Sequence, residues 1–524
     1  MLRRIPVYVL LFAVYPSLAL LSENIREVEA SVVLRPAAAS ILLVTAAYLA
    51  FRLILRDTCR AALAATLFTV LFFSYGHVYQ ALEPHAVLGV SIGRHRYLLP
   101  IYLCLFCAGL WWLTRRLKSS GSITQALNVA SIAALAMPVL SIGAFQLSLT
   151  RSTQAAIDLT SSVQALSRTP ETPLPDVYYI ILDTYSRQDI IERWYGYDNE
   201  PFLDDLRHMG FVVAECSRSN YGATQTSLAS SLNLAYLPEI AGRLSKPELG
   251  KDDYSSLIKQ STVRSSLSRL GYRTVAFETG FEWTRVTDAD YYLGPGRDAL
   301  DLQRLGEYEA LFVKTTAILA LTDARQKYLN PYADLVNYPY QDHIERQLLI
   351  LDQLPEVASI PEPTFTFAHV LIPHPPHVFA PDGSIEPDPG FYRGRLGGGI
   401  SDEYSRIGYV HEVQFVNRRV LGIVETILAE STTPPIIVIQ GDTGVYRSGD
   451  DSGLLSILNA YYLPDGGGEA IYPSITPVNT FRVIFDLYFG TSYGLLPDLS
   501  YAGEDPIPET SAACLPGPDQ DAQP

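Results

Sequence analysis

Hydrophobic positions change their spacing near residue 150. Before it they form five near-continuous runs: Ile5 to Ser22, Ala30 to Phe51, Ala61 to Leu82, Tyr97 to Thr114 and Ala126 to Leu149. Each approaches the ~20 residues that a helix needs to cross a ~30 Å hydrocarbon layer. Only Arg35 is charged within them, and it lies near enough to one end for its head group to snorkel. The runs predict five transmembrane helices over residues 1–150. The first has an Arg3–Arg4 head, but four more runs follow it and no small-residue cleavage site is evident, so it reads as a retained helix.

Beyond residue 150 the runs shorten. Residues 151–174 are polar, then punctuated by Pro170 and Pro173, and read as a linker that includes at most a short helix. Asp176 to Asp183 follows as an apolar, β-branched and aromatic run, suited to a strand buried on both faces. Similar runs start at Arg273, Thr364 and Pro435. Helical patterns lie between them at 200–209, 224–234, 257–270 and 411–428. Strands alternating with helices predict an α/β domain with a mostly parallel sheet over 175–502, and a Pro/Gly-rich tail over 503–524.

Charge separates the same two regions. Residues 1–150 hold 12 Lys/Arg and 5 Asp/Glu, a net +7, while the rest carries −23 of the total −16. Such an acidic globule attached to an apolar third excludes a nucleic-acid binder and a disordered chain. Arg3, Arg4, Arg52, Arg56, Arg60, Arg115, Arg116 and Lys118 fall before or between alternate runs. The positive-inside rule therefore places the N-terminus in the cytoplasm and everything after Leu149 outside it. No charge stands at mid-membrane depth and no internal repeat is visible, so a transport function has little support. Cys59, Cys104 and Cys107 read as apolar fillers of the membrane region. Cys216 and Cys514 are the two outside it, either free thiols or a disulfide pinning the tail.

In parallel sheets chemistry gathers beyond the carboxyl ends of the strands. There stand Asp183, the turn Gly441-Asp442-Thr443-Gly444, and the run His369-Val-Leu-Ile-Pro373-His374-Pro-Pro-His377. A fourth segment, Ser219 to Ser230, carries a Gly-containing turn that opens a helix rich in small hydroxyl residues. A hydroxyl at a helix N-terminus suits attack on an anionic ester. Two carboxylates at neighbouring strand ends can hold a divalent ion that activates it.

These segments resemble the alkaline phosphatase/sulfatase superfamily. The likeness is nearer to bacterial membrane-anchored sulfatase-like proteins, relatives of lipoteichoic acid synthases and phosphoethanolamine transferases. It spans roughly Pro175 to Tyr501 and rests on Tyr178 to Asp183, Ser217 to Tyr221 leading to Ser227 to Leu232, Pro373-His-Pro-Pro, Gly441-Asp442-x-Gly444 and Pro477 to Arg482. The resemblance implies that Asp183 and Asp442 bind metal and that Thr224 is both nucleophile and ligand. It also implies that His374 meets the substrate's anionic group. Arg218 and Arg482 are further candidates for an anion clamp or for structural ion pairs. The cofactor expected is one divalent ion, zinc, manganese or magnesium.

One position departs from the family pattern. The late turn normally reads Asp-His-Gly, and here Thr443 replaces the histidine. Three outcomes stay open: a histidine from elsewhere (His369, His377 or His411) fills the place, a harder ion such as magnesium or manganese sits on the oxygen ligands Asp183, Thr224 and Asp442, or the site is inactive. The Cys/Ser-x-Pro-x-Arg signature of sulfatases is also missing, which disfavours a sulfatase. The expectation is a cytoplasmic-membrane protein whose extracytoplasmic domain hydrolyses or transfers phospho-esters of lipid head groups or envelope glycans. The alternative is a catalytically inactive scaffold of the same fold. Membrane lipids are the expected partners, nucleic acid is not, and the oligomeric state stays open.

Overall fold

The computed structural model describes residues 5–83, 86–87, 90–91, 94–117, 121–161, 163–167, 173–296, 305–323, 338–385, 402–447, 452–501 and 506–507. The chain forms two compact units, Met1–Ser148 with Asp298–Asp342, and Leu149–Arg297 with His343–Pro524.

The first unit holds helices α1 (Tyr8–Asn24), α2 (Leu34–Leu55), α3 (Thr58–Leu82) and α4 (His95–Arg115), and most of α5 (Gly121–Ser161). Among the described residues four helical stretches are long and apolar enough to cross a membrane: Ala30–Leu55, Thr58–Leu82, His95–Arg115 and Gly121–Ser161. The first of the five expected runs forms the shorter helix α1, of 17 residues. α5 continues to Ser161, so the start of the expected linker is helical. Leu42, Leu53, Ile54, Met137 and Leu140 are each more than 70% exposed, as suits helices with apolar faces toward lipid.

The same unit takes in a segment that sequence boundaries had placed in the α/β domain. Helix Glu307–Thr315 joins the apolar cluster of α1 and α3 through Tyr308 and Phe312. The Phe312 ring lies 5.7 Å from that of Phe73, and the Tyr308 hydroxyl donates to the Ser17 carbonyl. Glu309 pairs with Arg35 at 3.1 Å, so the one charge inside the apolar runs has a partner. Gly76 leaves no room for a Cβ, which would stand 2.1 Å from the Lys314 carbonyl. Apolar burial by Tyr308 and Phe312 explains the assignment of this short amphipathic segment.

The second unit is built on a sheet of strands β1 (Val177–Leu182), β2 (Val212–Val213), β3 (Arg273–Phe277), β4 (Tyr291–Leu293), β5 (Thr364–Val370), β6 (Ile436–Gly441) and β7 (Asn459–Tyr462). Their order is β2-β7-β6-β1-β5-β3-β4. β6, β1, β5, β3 and β4 run parallel, while β7 is antiparallel to both of its neighbours. Every residue of β1, β5 and β6 is buried, as the unbroken apolar runs required. Helix α6 (Thr224–Ser231), α7 (Asp402–Glu430) and Pro477–Tyr488 are among those of this unit. Phe481 of the last packs edge-on against Tyr179 of β1, with ring centroids 5.0 Å apart.

Candidate functional site

Register brings the first three groups together. Leu182 pairs with both Gly441 and Val370, so Asp183 and Asp442 leave neighbouring strands side by side. His369 pairs with Ile181, and residues two apart share a face, so it points to the side of the sheet that Asp183 takes. Asp183, His369 and Asp442 are all buried, each offering one ligand atom within 4.8 Å of the others. His369 Nε2 lies 3.4 Å from Asp183 Oδ2.

The immediate surroundings hold these groups in place without saturating them. His369 Nδ1 lies 3.3 Å from the Thr284 hydroxyl, leaving Nε2 aimed at the carboxylates. Thr184 has φ +63, a conformation costly for a β-branched residue. It brings the Thr184 N–H to donate to Asp442 Oδ1 at 3.0 Å, and its hydroxyl donates to Asp183 Oδ1 at 3.0 Å. The Ser219 hydroxyl donates to the Asp442 carbonyl at 2.7 Å and touches the Ser227 hydroxyl on α6 at 3.0 Å. Both glycines of the late turn are dictated by close backbone approach. A Cβ on Gly441 would stand 2.4 Å from the Tyr185 carbonyl, and one on Gly444 would stand 2.1 Å from that of Gly453.

Asp442 Oδ2 and His369 Nε2 remain buried with no hydrogen-bond partner. Orphaned buried acceptors are costly, and here two converge on one point. Burial and the Asp183 charge push the Asp442 carboxyl up to about 6, against the opposing effects of His369, Thr224 and the Thr184 N–H. Burial also raises Asp183, but the charges of His374 and of His369 close by, with the hydrogen bond from Thr184, outweigh it and hold the group below the usual carboxylate range. Two carboxylates and an imidazole with unmet demand fit a divalent cation. Thr224 opens α6 beside Asp442, close enough to favour its charged form without a well-directed hydrogen bond to Oδ2.

The other candidates separate. His374 is half-buried, close enough for its charge to bear on Asp183, with Phe281 set edge-on 6.5 Å away. Thr443 is buried beside Asp442 in the chain. His377 turns to Glu412 of α7, 2.9 Å away, and lies outside the carboxylate cluster, as does His411 on the same helix. Arg218 is half-buried near Arg187 with no ion-pair partner among the described residues, whereas Arg187 is paired with Asp189 at 2.7 Å. Arg482 donates to the carbonyls of Gly494, Leu234 and Tyr493, a structural role. Cys216 is disulfide-bonded, and Cys514 lies outside the described residues. Thr184, Ser219, Ser227 and Thr284 were not foreseen. Only the run of hydroxyls from Ser217 to Ser231 hinted at two of them.

No protein-family model and no curated protein matches the chain. Solved structures do. The C-terminal periplasmic domain of EptC from Escherichia coli, in complex with zinc, is 13% identical with a TM-score of 0.40, covering 63% of this chain and 87% of that one. The integral membrane lipooligosaccharide phosphoethanolamine transferase EptA from Neisseria meningitidis is 12% identical with a TM-score of 0.38, covering 92% and 94%. BT1596, a 2-O GAG sulfatase, is 13% identical with a TM-score of 0.35, covering 60% and 70%. Solved structures similar to this chain thus include phosphoethanolamine transferases and sulfatases.

Proposed function

We propose that the protein is a membrane-anchored, metal-dependent phosphotransferase or phosphohydrolase. Its substrates are phospho-esters of lipid head groups or envelope glycans. The observation that carries this reading is the buried Asp183–His369–Asp442 cluster, with two unsatisfied atoms converging beside Thr224. Asp183, His369, Asp442 and Thr224 would hold the ion. Imidazole in the set favours zinc over magnesium. A bound divalent ion would lower the pKa of the Thr224 hydroxyl and offset phosphoryl charge in a domain that carries no general positive field.

The chain's own groups then divide the work. The Thr224 oxygen bonds to phosphorus as the ester oxygen leaves with its alcohol, and water or an acceptor hydroxyl takes the phosphoryl group in a second step. His374 and Arg218 hold phosphoryl oxygens. The disulfide at Cys216 supports an oxidising compartment and hence an extracytoplasmic catalytic unit above a bacterial cytoplasmic membrane.

The test joins metal analysis of the purified full-length protein to hydrolysis of bis(p-nitrophenyl) phosphate. We expect one divalent ion per chain and turnover that disappears in Thr224→Ala. No ion, with turnover indifferent to Thr224→Ala, would leave the inactive scaffold, the reading that Thr443 in the histidine position favours.

A further inference from the structure

One residue, Thr184, meets both carboxylates of the buried cluster. Its N–H donates to Asp442 Oδ1 and its hydroxyl to Asp183 Oδ1, both at 3.0 Å. Asp183 Oδ2 is then the oxygen that faces His369 Nε2, and Asp442 Oδ2 is the orphan. Each carboxylate thus has one oxygen bound to the turn and one left for an ion. This division depends on the Thr184 backbone, whose φ of +63 brings both of its groups to bear. A β-branched residue stays in that conformation only where its surroundings hold it.

The group that holds it comes from α7. Tyr409 is 2% exposed, and its hydroxyl donates to the Thr184 carbonyl at 3.2 Å while accepting from the Ser186 N–H at 3.1 Å. One phenol oxygen so closes the turn across Tyr185, with its donor and an acceptor position both in use. The same turn reaches the loop of the second carboxylate. The Ser186 hydroxyl accepts from the Val445 N–H at 2.8 Å, three residues beyond Asp442, and the Tyr185 carbonyl accepts from the Leu458 N–H at 3.1 Å. Fixing Ser186 therefore steadies the loop that carries Asp442 as well.

Tyr409 itself has little freedom. Its ring stacks on that of Tyr195, with centroids 4.4 Å apart and 23° between the planes, and the His377 ring stands edge-on at 6.3 Å. Packing of this kind needs the ring and not the hydroxyl, and phenylalanine would serve it without burying a polar atom. Both hydrogen bonds of the hydroxyl go to the backbone of the turn that meets the carboxylates. Its place is that of an outer partner that orients metal ligands.

We infer that Tyr409 is a positioning residue for the ion: its hydroxyl locks Thr184 in the left-handed conformation that leaves Oδ2 of Asp183 and of Asp442 for the metal. This rests on the metal-dependent reading above. The test uses the full-length protein in detergent, stripped of metal, and titrates zinc(II) against a competing chromophoric chelator. Tyr409→Phe keeps the ring and its stack, and should weaken zinc binding by about tenfold or more. Tyr461→Phe is the control. It removes an equally buried hydroxyl, one that meets Thr480 Oγ1 at 2.8 Å rather than the turn, and should leave zinc affinity unchanged. The visible spectrum of the cobalt(II)-loaded protein reports the arrangement of the ligands, so it should change in Tyr409→Phe and not in Tyr461→Phe. Unchanged zinc affinity in Tyr409→Phe, or an equal loss in Tyr461→Phe, overturns the inference alone. A wild type that binds neither ion overturns the metal-dependent reading and this one with it.

Discussion

Two buried imidazoles eight residues apart, His369 and His377, both face carboxylates, and they are built in opposite ways. His377 Nδ1 is within hydrogen-bond reach of Glu412 Oε2 at 2.9 Å, and the other Glu412 oxygen accepts from the Val378 N–H at 2.7 Å. That pair meets its own demand. His369 faces two carboxylates rather than one, its Nε2 and Asp442 Oδ2 are orphaned, and the Asp442 carboxyl is pushed up to about 6. A buried pair that satisfies itself serves the fold, whereas a buried group left incomplete calls for something from outside. The difference makes one histidine a candidate ligand for an ion and gives the other a structural duty.

The strongest way to break this contrast is at the hydroxyl beside the incomplete cluster. Thr224→Ala should lower turnover of bis(p-nitrophenyl) phosphate by about a thousandfold or more, because a lost nucleophile has no local substitute. The melting temperature should fall no further than metal removal itself lowers it, since Thr224 is half-buried at the first position of α6 and its side chain bears on Asp442. Turnover retained by Thr224→Ala would separate the cluster from any threonine chemistry.

At the self-satisfied pair the effect should appear in stability alone. Glu412→Ala leaves His377 and the Val378 N–H without their acceptor, at a cost of about 3 kcal/mol. Thermal unfolding of the full-length protein should show the loss, and metal content per chain should not change. A variant that folds normally but loses its ion would move Glu412 into the metal site and erase the contrast.

The same contrast marks what the chain's letters reveal. The unbroken apolar runs at Asp176, Thr364 and Pro435 are legible as buried strands because a parallel sheet needs both faces covered. Asp183 and Asp442 follow, since they are the residues at which two such runs stop. His369 was named only as one of three histidines that could replace the one missing at Thr443. Choosing among them needed register, because His369 lies inside its strand and reaches the site only by pairing with Ile181. Thr284 was out of reach for a related reason: it belongs to the turn after β3, more than 80 residues before the histidine it meets. Helix Glu307–Thr315 was hidden because its few apolar side chains resemble those of any surface helix until Phe73 and Ser17 are beside them. Local pattern shows what a segment can bury, and the partner is a tertiary fact.

Chelation probes the incomplete cluster directly. An ion that binds only the folded state adds about 2.7 kcal/mol at a hundred times its dissociation constant, so removing it should lower the melting temperature by several degrees. His369→Ala and Asp442→Asn should already sit near the lowered value and respond little to a chelator. His377→Ala, although less stable, should keep the full chelator response. An equal response in His369→Ala and wild type would remove the imidazole from the ligand set.

The smallest expected effect is the most informative about Thr443. If a histidine were simply missing from the late turn, Thr443→His should create metal binding and turnover where there was none. The structure already supplies an imidazole from β5, with Nε2 3.4 Å from Asp183. Thr443→His should therefore leave the metal content at one ion per chain and change turnover by less than about threefold. Its value appears in combination. His369→Ala loses the ion, and adding Thr443→His to it should restore binding, because a nitrogen donor beside Asp442 can then take the empty place. Restoration in the double variant, with no gain in the single one, would mean that the two positions compete for one coordination place. A gain in the single variant would instead mean that His369 leaves that place open, and the comparison with His377 would lose its sharper half.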